Sequence, residues 1–156
     1  MSTVAVGKKI PAFSGEATGG APIASKDLKG QKYVLYFYPR DNTPGCTVES
    51  NDFRDLHGRF KRRKVRVIGI SRDTLASHEK FKAKFGFPFE LIADPDETIC
   101  NRFGVMKDKN MYGKKVRGIE RSTFLVDEEG VLLKEWRKVK VEGHAQEVLD
   151  SLAEFA

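Results

Sequence analysis

The rest of this chain is organised around one stretch, Tyr33-Val-Leu-Tyr-Phe-Tyr-Pro-Arg-Asp-Asn-Thr-Pro-Gly-Cys46. Its first six residues are apolar or aromatic and rich in β formers, which predicts a strand buried on both faces. Pro39 ends that strand, because proline cannot donate a hydrogen bond to a sheet ladder. A polar turn follows, and a helical pattern then opens at Cys46. A cysteine therefore stands where a buried strand passes into the N-terminus of a helix.

The position of Cys46 has two interpretations. The first turn of a helix presents unpaired N–H groups and the positive end of the helix dipole, which favour a thiolate, the reactive form of cysteine. Thr43 places a hydroxyl three residues earlier, close enough to reach across the turn. Alternatively, Cys46 is a small apolar side chain packed behind the strand, as free cysteine often is. Its placement alone leaves both interpretations open.

The composition predicts an ordinary globular protein. The 156 residues suffice for one domain with a real core, and 40% are hydrophobic while 32% are charged. No apolar run approaches the roughly 20 residues needed to cross a bilayer, and the first residues lack a secretory signal. Two cysteines, Cys46 and Cys100, suit neither a disulfide framework nor a zinc site. We therefore expect a cytoplasmic protein that does not associate with membranes.

The net charge is +6, and basic residues cluster at 59–66 and 107–117. Such clusters can bind nucleic acid. They also arise where a helix ends with cations that complement its dipole and where a loop is solvated. No nucleic-acid motif accompanies them, so we predict a helix end and a long polar loop, and we do not expect nucleic acid as a partner.

The order of elements predicts the fold class. Strands and helices alternate up to residue 104, which implies parallel strands, and a hairpin of two strands follows before a C-terminal helix. The prediction is an α/β protein whose mixed central sheet is flanked by helices on both faces, in a single domain spanning residues 1–156. His78 falls on the packing face of a helix and is expected to be half-buried. His57, His78 and His144 show no ligand spacing with each other or with a cysteine, so we expect no metal.

The segment Pro39–Cys46 has the form P-x-x-x-T-x-x-C. With Glu49, Phe53 and the distant segment Arg121–Asp127, it resembles the peroxiredoxins, and most closely their bacterioferritin-comigratory, or Q-type, branch. The resemblance covers nearly the whole chain. It implies a thioredoxin-like fold, often as a monomer, and thiol-dependent reduction of hydrogen peroxide and organic hydroperoxides with no cofactor.

The resemblance also implies roles for individual residues. Cys46 would attack the peroxide and become a sulfenic acid. Arg121 would stabilise the thiolate and hold the peroxide, and the Thr43 hydroxyl would bond one or the other. Pro39 would shield the pocket, and Glu49 would orient Arg121, although Glu49 can equally be a solvated acid in the first helical turn.

The reduction of the sulfenic acid is where the sequence departs from its relatives. Many Q-type members have a second, resolving cysteine at the position of Asn51, and others at the position of Lys82. We therefore expect a one-cysteine cycle in which an external thiol, such as thioredoxin, glutaredoxin or glutathione, reduces Cys46. One alternative is a two-cysteine cycle resolved by Cys100. That residue shares a helix face with Phe103, however, which predicts that it packs in the core. The other is a non-enzymatic binding protein on a thioredoxin-like scaffold.

Overall fold

The computed structural model describes residues 4–155 of the chain. The strands within this range are β1 (Ser14–Gly15), β2 (Ile23–Ala24), β3 (Lys32–Phe37), β4 (Val65–Ser71), β5 (Glu90–Ala93), β6 (Met106–Met111), β7 (Lys114–Ile119), β8 (Ser122–Val126) and β9 (Leu132–Trp136). The helices are α1 (Pro44–Arg62), α2 (Leu75–Phe85), α3 (Thr98–Arg102) and α4 (His144–Ser151), with single 3-10 turns at Ser25–Leu28 and Leu152–Phe155.

Five strands form the central sheet in the order β5-β4-β3-β8-β9. Strand β4 runs parallel to β3 and to β5, whereas β8 runs antiparallel to β3 and to β9. The predicted mixed sheet is confirmed. Strand β3 lies at its centre, as the apolar stretch of the sequence indicates, and all its residues after Lys32 are buried.

The sheet separates two hydrophobic clusters. Leu35 and Phe37 of β3 point into one cluster, to which α3 contributes Ile99 and Cys100. Val34 and Tyr36 alternate with them and point into the other cluster, which holds the buried faces of α1, α2 and α4. Helices therefore cover both faces of the sheet, as predicted.

The predicted loop over residues 107–118 is wrong, because β6 and β7 form an antiparallel hairpin there. Most of its side chains are exposed, so the hairpin lacks the apolar alternation that marks a half-buried strand. The turn contains Tyr112 at a φ of 54° and Gly113 at a φ of 79°. Positive φ at both central residues is the requirement of a type I′ hairpin turn, so this dipeptide was the available signal.

The first helix begins at a different residue from the one predicted, and the third begins some distance after the acid that bonds its N-terminus. Helix α1 starts at Pro44, before Cys46, because proline fits the first helical position. Helix α3 starts at Thr98, four residues after Asp94. The Asp94 carboxylate nevertheless accepts hydrogen bonds from the N–H groups of Ile99 at 3.0 Å and Cys100 at 2.7 Å. Among residues 4–155, no helix combines the length and the apolar character that crossing a bilayer demands.

Candidate active site

The end of strand β3 and the start of helix α1 set the position of Cys46. The N–H of Tyr38 still bonds the carbonyl of Ile70 in β4, at 3.1 Å, and the chain then leaves the sheet at Pro39. Thr43 precedes the helix in an extended conformation, and its carbonyl accepts the first helical hydrogen bond, from Thr47 N–H at 2.8 Å. Cys46 is the third residue of α1. It lies at the positive end of the helix dipole, as the sequence predicted.

The Cys46 sulfur contacts Arg121, which directly precedes strand β8. Nη2 of Arg121 donates a hydrogen bond to Sγ at 3.3 Å, and only 1% of the Cys46 surface is exposed. Residues 75 positions apart meet because Ser122 pairs with Phe37, the last residue of β3. Gly45 permits this approach, since a Cβ at that position would lie 3.2 Å from Nη2. The sheet register therefore places a fixed positive charge beside the thiol.

Glu49 lies one helical turn after Cys46 and holds the other side of the same guanidinium. Its Oε1 accepts from Nη1 of Arg121 at 2.6 Å, and its side chain is fully buried. Among residues 4–155, its second oxygen has no hydrogen-bond partner. Burial raises the pKa of Glu49 to about 7, because pairing with Arg121 offsets only part of the burial effect. Burial by itself would lower the pKa of Arg121. The negative charges of Glu49 and Cys46 and their hydrogen bonds outweigh the burial effect, and the net result is a raised pKa for Arg121. The alternative prediction, that Glu49 is a solvated acid, is wrong because its side chain is buried.

Thr43 and Pro39 lie in the segment between strand β3 and helix α1, and neither side chain bonds the sulfur. The Thr43 hydroxyl donates to the carbonyl of Arg40 at 3.0 Å, which closes the loop before the helix. Pro39 and Thr43 are both half-buried, whereas Arg40 is exposed. The hydroxyl oxygen of Thr43 retains lone pairs with which it can accept from a bound peroxide.

Cys100 lies apart from the other candidate residues. It is fully buried in the cluster on the opposite face of the sheet from Cys46, next to Phe103. Burial, and after it the Asp94 carboxylate, raises the pKa of the Cys100 thiol. Both cysteines are free thiols. The expected packing role of Cys100 agrees with this placement.

The sequence interpretation overlooked Asp41 and took His78 for a half-buried packing residue. His78 is fully buried, and its Nδ1 lies 2.7 Å from Oδ2 of Asp41, in the loop that leads to Cys46. Ligand atoms of Asp41, Asp73 and His78 lie within 4.8 Å of one another, a spacing that could hold a metal ion. The same groups bond one another and their neighbours. An acid in the loop after a buried strand, with a histidine in the first turn of helix α2, was the available sequence signal.

The arrangement suits nucleophilic chemistry on a polar substrate. A thiol at a helix N-terminus contacts an always-charged, forked donor whose second arm is fixed by a buried carboxylate. Such a donor stabilises negative charge, both on the attacking sulfur and on an oxygen that leaves.

A family model and several known proteins match this chain over most of its length. Residues 6–134 match the model of the AhpC/TSA family. A putative peroxiredoxin bcp of Coxiella burnetii is 49% identical, over 96% of this chain and 99% of that protein. A cysteine-to-serine mutant of Xylella fastidiosa PrxQ superposes with a TM-score of 0.93 at 40% identity, covering 99% of both chains. This structural neighbour confirms the thioredoxin-like fold.

A further structure concerns the alkyl peroxide reduction activity of the Xanthomonas campestris bacterioferritin comigratory protein. It is 47% identical to this chain, with a TM-score of 0.87, and the match covers 92% of this chain and 91% of that one. Each of these matches spans nearly the full length of this chain and of the matched protein, and together they agree with the site geometry. The chain therefore belongs to the AhpC/TSA family, as a peroxiredoxin of the Bcp or Q type, and is a thiol-dependent peroxidase.

Proposed function

We propose that Cys46 is the thiol that reduces the peroxide. Its thiolate attacks one peroxide oxygen, the O–O bond breaks, and the other oxygen leaves with the bonding electrons and takes up a proton. The products are the Cys46 sulfenic acid and water or an alcohol. The observation that supports this assignment best is the Arg121 guanidinium, which bonds Cys46 Sγ at 3.3 Å and Glu49 Oε1 at 2.6 Å.

The neighbouring residues support separate parts of this step. Arg121 stabilises the thiolate and directs its remaining N–H groups at the peroxide, while Glu49 fixes the orientation of the guanidinium. Thr43 accepts a hydrogen bond from the peroxide, and Pro39 limits access of water. A hydrocarbon group on the peroxide would extend past Pro44 and Val48, which are exposed beside Cys46. We therefore include organic hydroperoxides, with hydrogen peroxide, among the substrates.

We further propose that the cycle uses one cysteine. The central sheet lies between Cys46 and Cys100, so a disulfide between them requires extensive unfolding. By the resemblance to Q-type peroxiredoxins, Asn51 and Lys82 stand where many members have a resolving cysteine. An external thiol, from thioredoxin, glutaredoxin or glutathione, attacks the sulfenic sulfur and expels water. A second thiol then releases Cys46 from the mixed disulfide. Such thiols are abundant in a reducing cytoplasm, where we expect the protein to act as a monomer.

Mass spectrometry of the intact protein after one equivalent of hydrogen peroxide tests this proposal. With a sulfenic-acid trap present, we expect one adduct on Cys46 and a free thiol at Cys100. Cys46→Ser should fold, form no adduct and lose turnover, whereas the matched variant Cys100→Ser should form the adduct and turn over. Loss of two hydrogens without an adduct would mean a Cys46–Cys100 disulfide and would contradict the one-cysteine cycle. Turnover by Cys46→Ser would contradict the assignment of Cys46.

A further inference from the structure

A buried hydrogen-bond network ties the loop before Cys46 to helix α2. Asp41, in that loop, accepts from the hydroxyl of Tyr38 at its Oδ1 and from the hydroxyl of Ser77 at its Oδ2, each at 2.7 Å. Nδ1 of His78 lies 2.7 Å from Oδ2, and Nε2 of the same ring lies 2.9 Å from the carbonyl of Ile92 in β5. The His78 side chain is entirely buried, and that of Asp41 is 4% exposed.

The partners of His78 define its charge. A carbonyl can only accept, so Nε2 carries a hydrogen. At the other nitrogen, Asp41 already accepts two hydroxyl hydrogens, and bonds of that kind stabilise a carboxylate in its ionised form. Burial, with the neighbouring Tyr36 and Asp41, raises the pKa of Tyr38, so its hydroxyl stays a donor. Nδ1 therefore carries a hydrogen as well, and His78 is an imidazolium paired with the Asp41 carboxylate.

The network also reaches the loop backbone. The N–H of Asp41 donates to Oδ2 of Asp73 at 2.8 Å, and Ser71 at the end of β4 donates to the same oxygen at 2.5 Å. The next residue, Asn42, has a φ of 61°, a left-handed conformation that asparagine adopts more readily than most residues other than glycine. The loop is therefore anchored on two sides immediately before the helix that presents Cys46.

We propose that the Asp41–His78 ion pair is a positioning pair for the peroxidase reaction, which holds the loop so that Cys46 meets Arg121. Neither residue touches the sulfur. The 3.3 Å contact between Cys46 and Arg121 joins two separate parts of the chain, and it persists only if both are fixed. A displacement of about 1 Å at a reacting group can slow a reaction by about 100-fold. This inference rests on the proposal that Cys46 is the reacting thiol.

The charge of the pair is tested by nuclear magnetic resonance of the reduced protein with nitrogen-15 in its histidine rings. We expect two slowly exchanging N–H signals from His78, one for each nitrogen, and both should be missing in His78→Gln. A single N–H signal would mean a neutral ring and would overturn the ion pair. His57 is half-buried on α1, and His57→Gln should leave both His78 signals in place.

The positioning role is tested by the rate of Cys46 oxidation by hydrogen peroxide in a single turnover. Asp41→Asn and His78→Gln should each lower the rate by about 10- to 100-fold, as displacement of a reacting group does. The double variant should be no slower than the slower single variant, because one interaction is lost in all three. His57→Gln and Asp55→Asn, in which Asp55 is exposed, should react like the wild type.

A second readout separates positioning from stability. Alkylation of Cys46 by iodoacetamide needs the thiolate but no peroxide aligned against Arg121. Measured at a pH that ionises the thiol in every variant, its rate should change far less than the peroxide rate. If the pair serves stability alone, its loss should lower Tm and leave the peroxide rate of the folded protein unchanged. That result would overturn the proposal.

If these variants do not fold, Tyr38→Phe removes only one hydroxyl from Asp41. It should shift the His78 Nδ1–H signal and slow peroxide oxidation, and an unchanged signal and rate would also overturn the proposal. Loss of turnover in Cys46→Ser is independent of both results, so the two proposals fail separately.

Discussion

Glu49 and Arg121 form a buried ion pair of 2.6 Å, although 72 residues separate them in the sequence. The same guanidinium donates to Cys46 Sγ. Arg121 thus bridges two side chains on one face of helix α1, and its orientation is fixed at both ends. In the proposed reaction, a peroxide that approaches the sulfur meets donors that are already in place.

Arg121→Lys should slow peroxide oxidation of Cys46. Lysine keeps the charge but lacks the fork, so it cannot bond Glu49 and Cys46 together. A hydrogen bond to a charged group is worth about 1.5–3 kcal/mol, which corresponds to a rate lower by about 10- to 100-fold. Rapid-quench alkylation followed by mass spectrometry measures this rate. Arg117 pairs with Glu97 at the surface, and Arg117→Lys should leave the rate unchanged. An equally fast Arg121→Lys enzyme would contradict the bridging role.

Glu49 should make the stability of the fold depend on pH. Its pKa is about 7 in the folded protein against 4.5 for the free group, so the folded state keeps this proton longer than the unfolded state. As pH rises from 4.5 to 7, the unfolded state binds fewer protons, and the free energy of unfolding falls. One proton over this interval corresponds to a loss on the order of 3 kcal/mol.

Urea unfolding across this pH range measures the effect against Glu49→Gln, which has no proton to lose. The free energy of unfolding of the wild type should decline relative to that of Glu49→Gln as pH rises to about 7, with little further change at higher pH. Glu79 is exposed on α2, and Glu79→Gln should follow the wild type at every pH. Parallel curves for the wild type and Glu49→Gln would show that Glu49 does not titrate in this interval.

Cys100→Ala should retain full peroxide turnover with an external dithiol as reductant. Its thiol faces the cluster across the sheet from Cys46, and in the proposed one-cysteine cycle it has no role. Removal of a packed sulfur should lower Tm, since the cavity left behind costs contacts. Thermal unfolding and a steady-state peroxide assay measure the two effects. Turnover that stalls after one equivalent in Cys100→Ala alone would show that Cys100 resolves Cys46.

Gly69→Ala should destabilise the protein, whereas Gly58→Ala should not. A Cβ at Gly69 would lie 2.8 Å from the ring of Tyr36 and from Leu91, and overpacking of this kind costs about 1–3 kcal/mol. Gly58 is in α1 with nothing within 4 Å of the added atom, so alanine there should gain about 0.5–1 kcal/mol by helix propensity. Urea unfolding at one pH compares them, and equal stabilities would contradict the close packing over Gly69.

The central part of the fold could be predicted because its signals are local. The apolar run of β3, the proline that ends it and the helical spacing after Cys46 each depend on neighbours in the sequence. The β6–β7 hairpin could not be predicted in the same way, because its exposed side chains follow no apolar alternation. Only the turn at Tyr112–Gly113 and backbone pairing define it.

Local sequence is enough to specify the strand-turn-helix unit and the position of Cys46 at a helix N-terminus, since short-range sterics and periodicity define both. Which distant groups reach that position depends on the tertiary structure. The register of β8 against β3 brings Arg121 to the sulfur, and burial under α1 raises the pKa of Glu49. The sheet also assigns Cys46 and Cys100 to opposite faces. These relations depend on long-range packing, for which a single sequence carries no local signal.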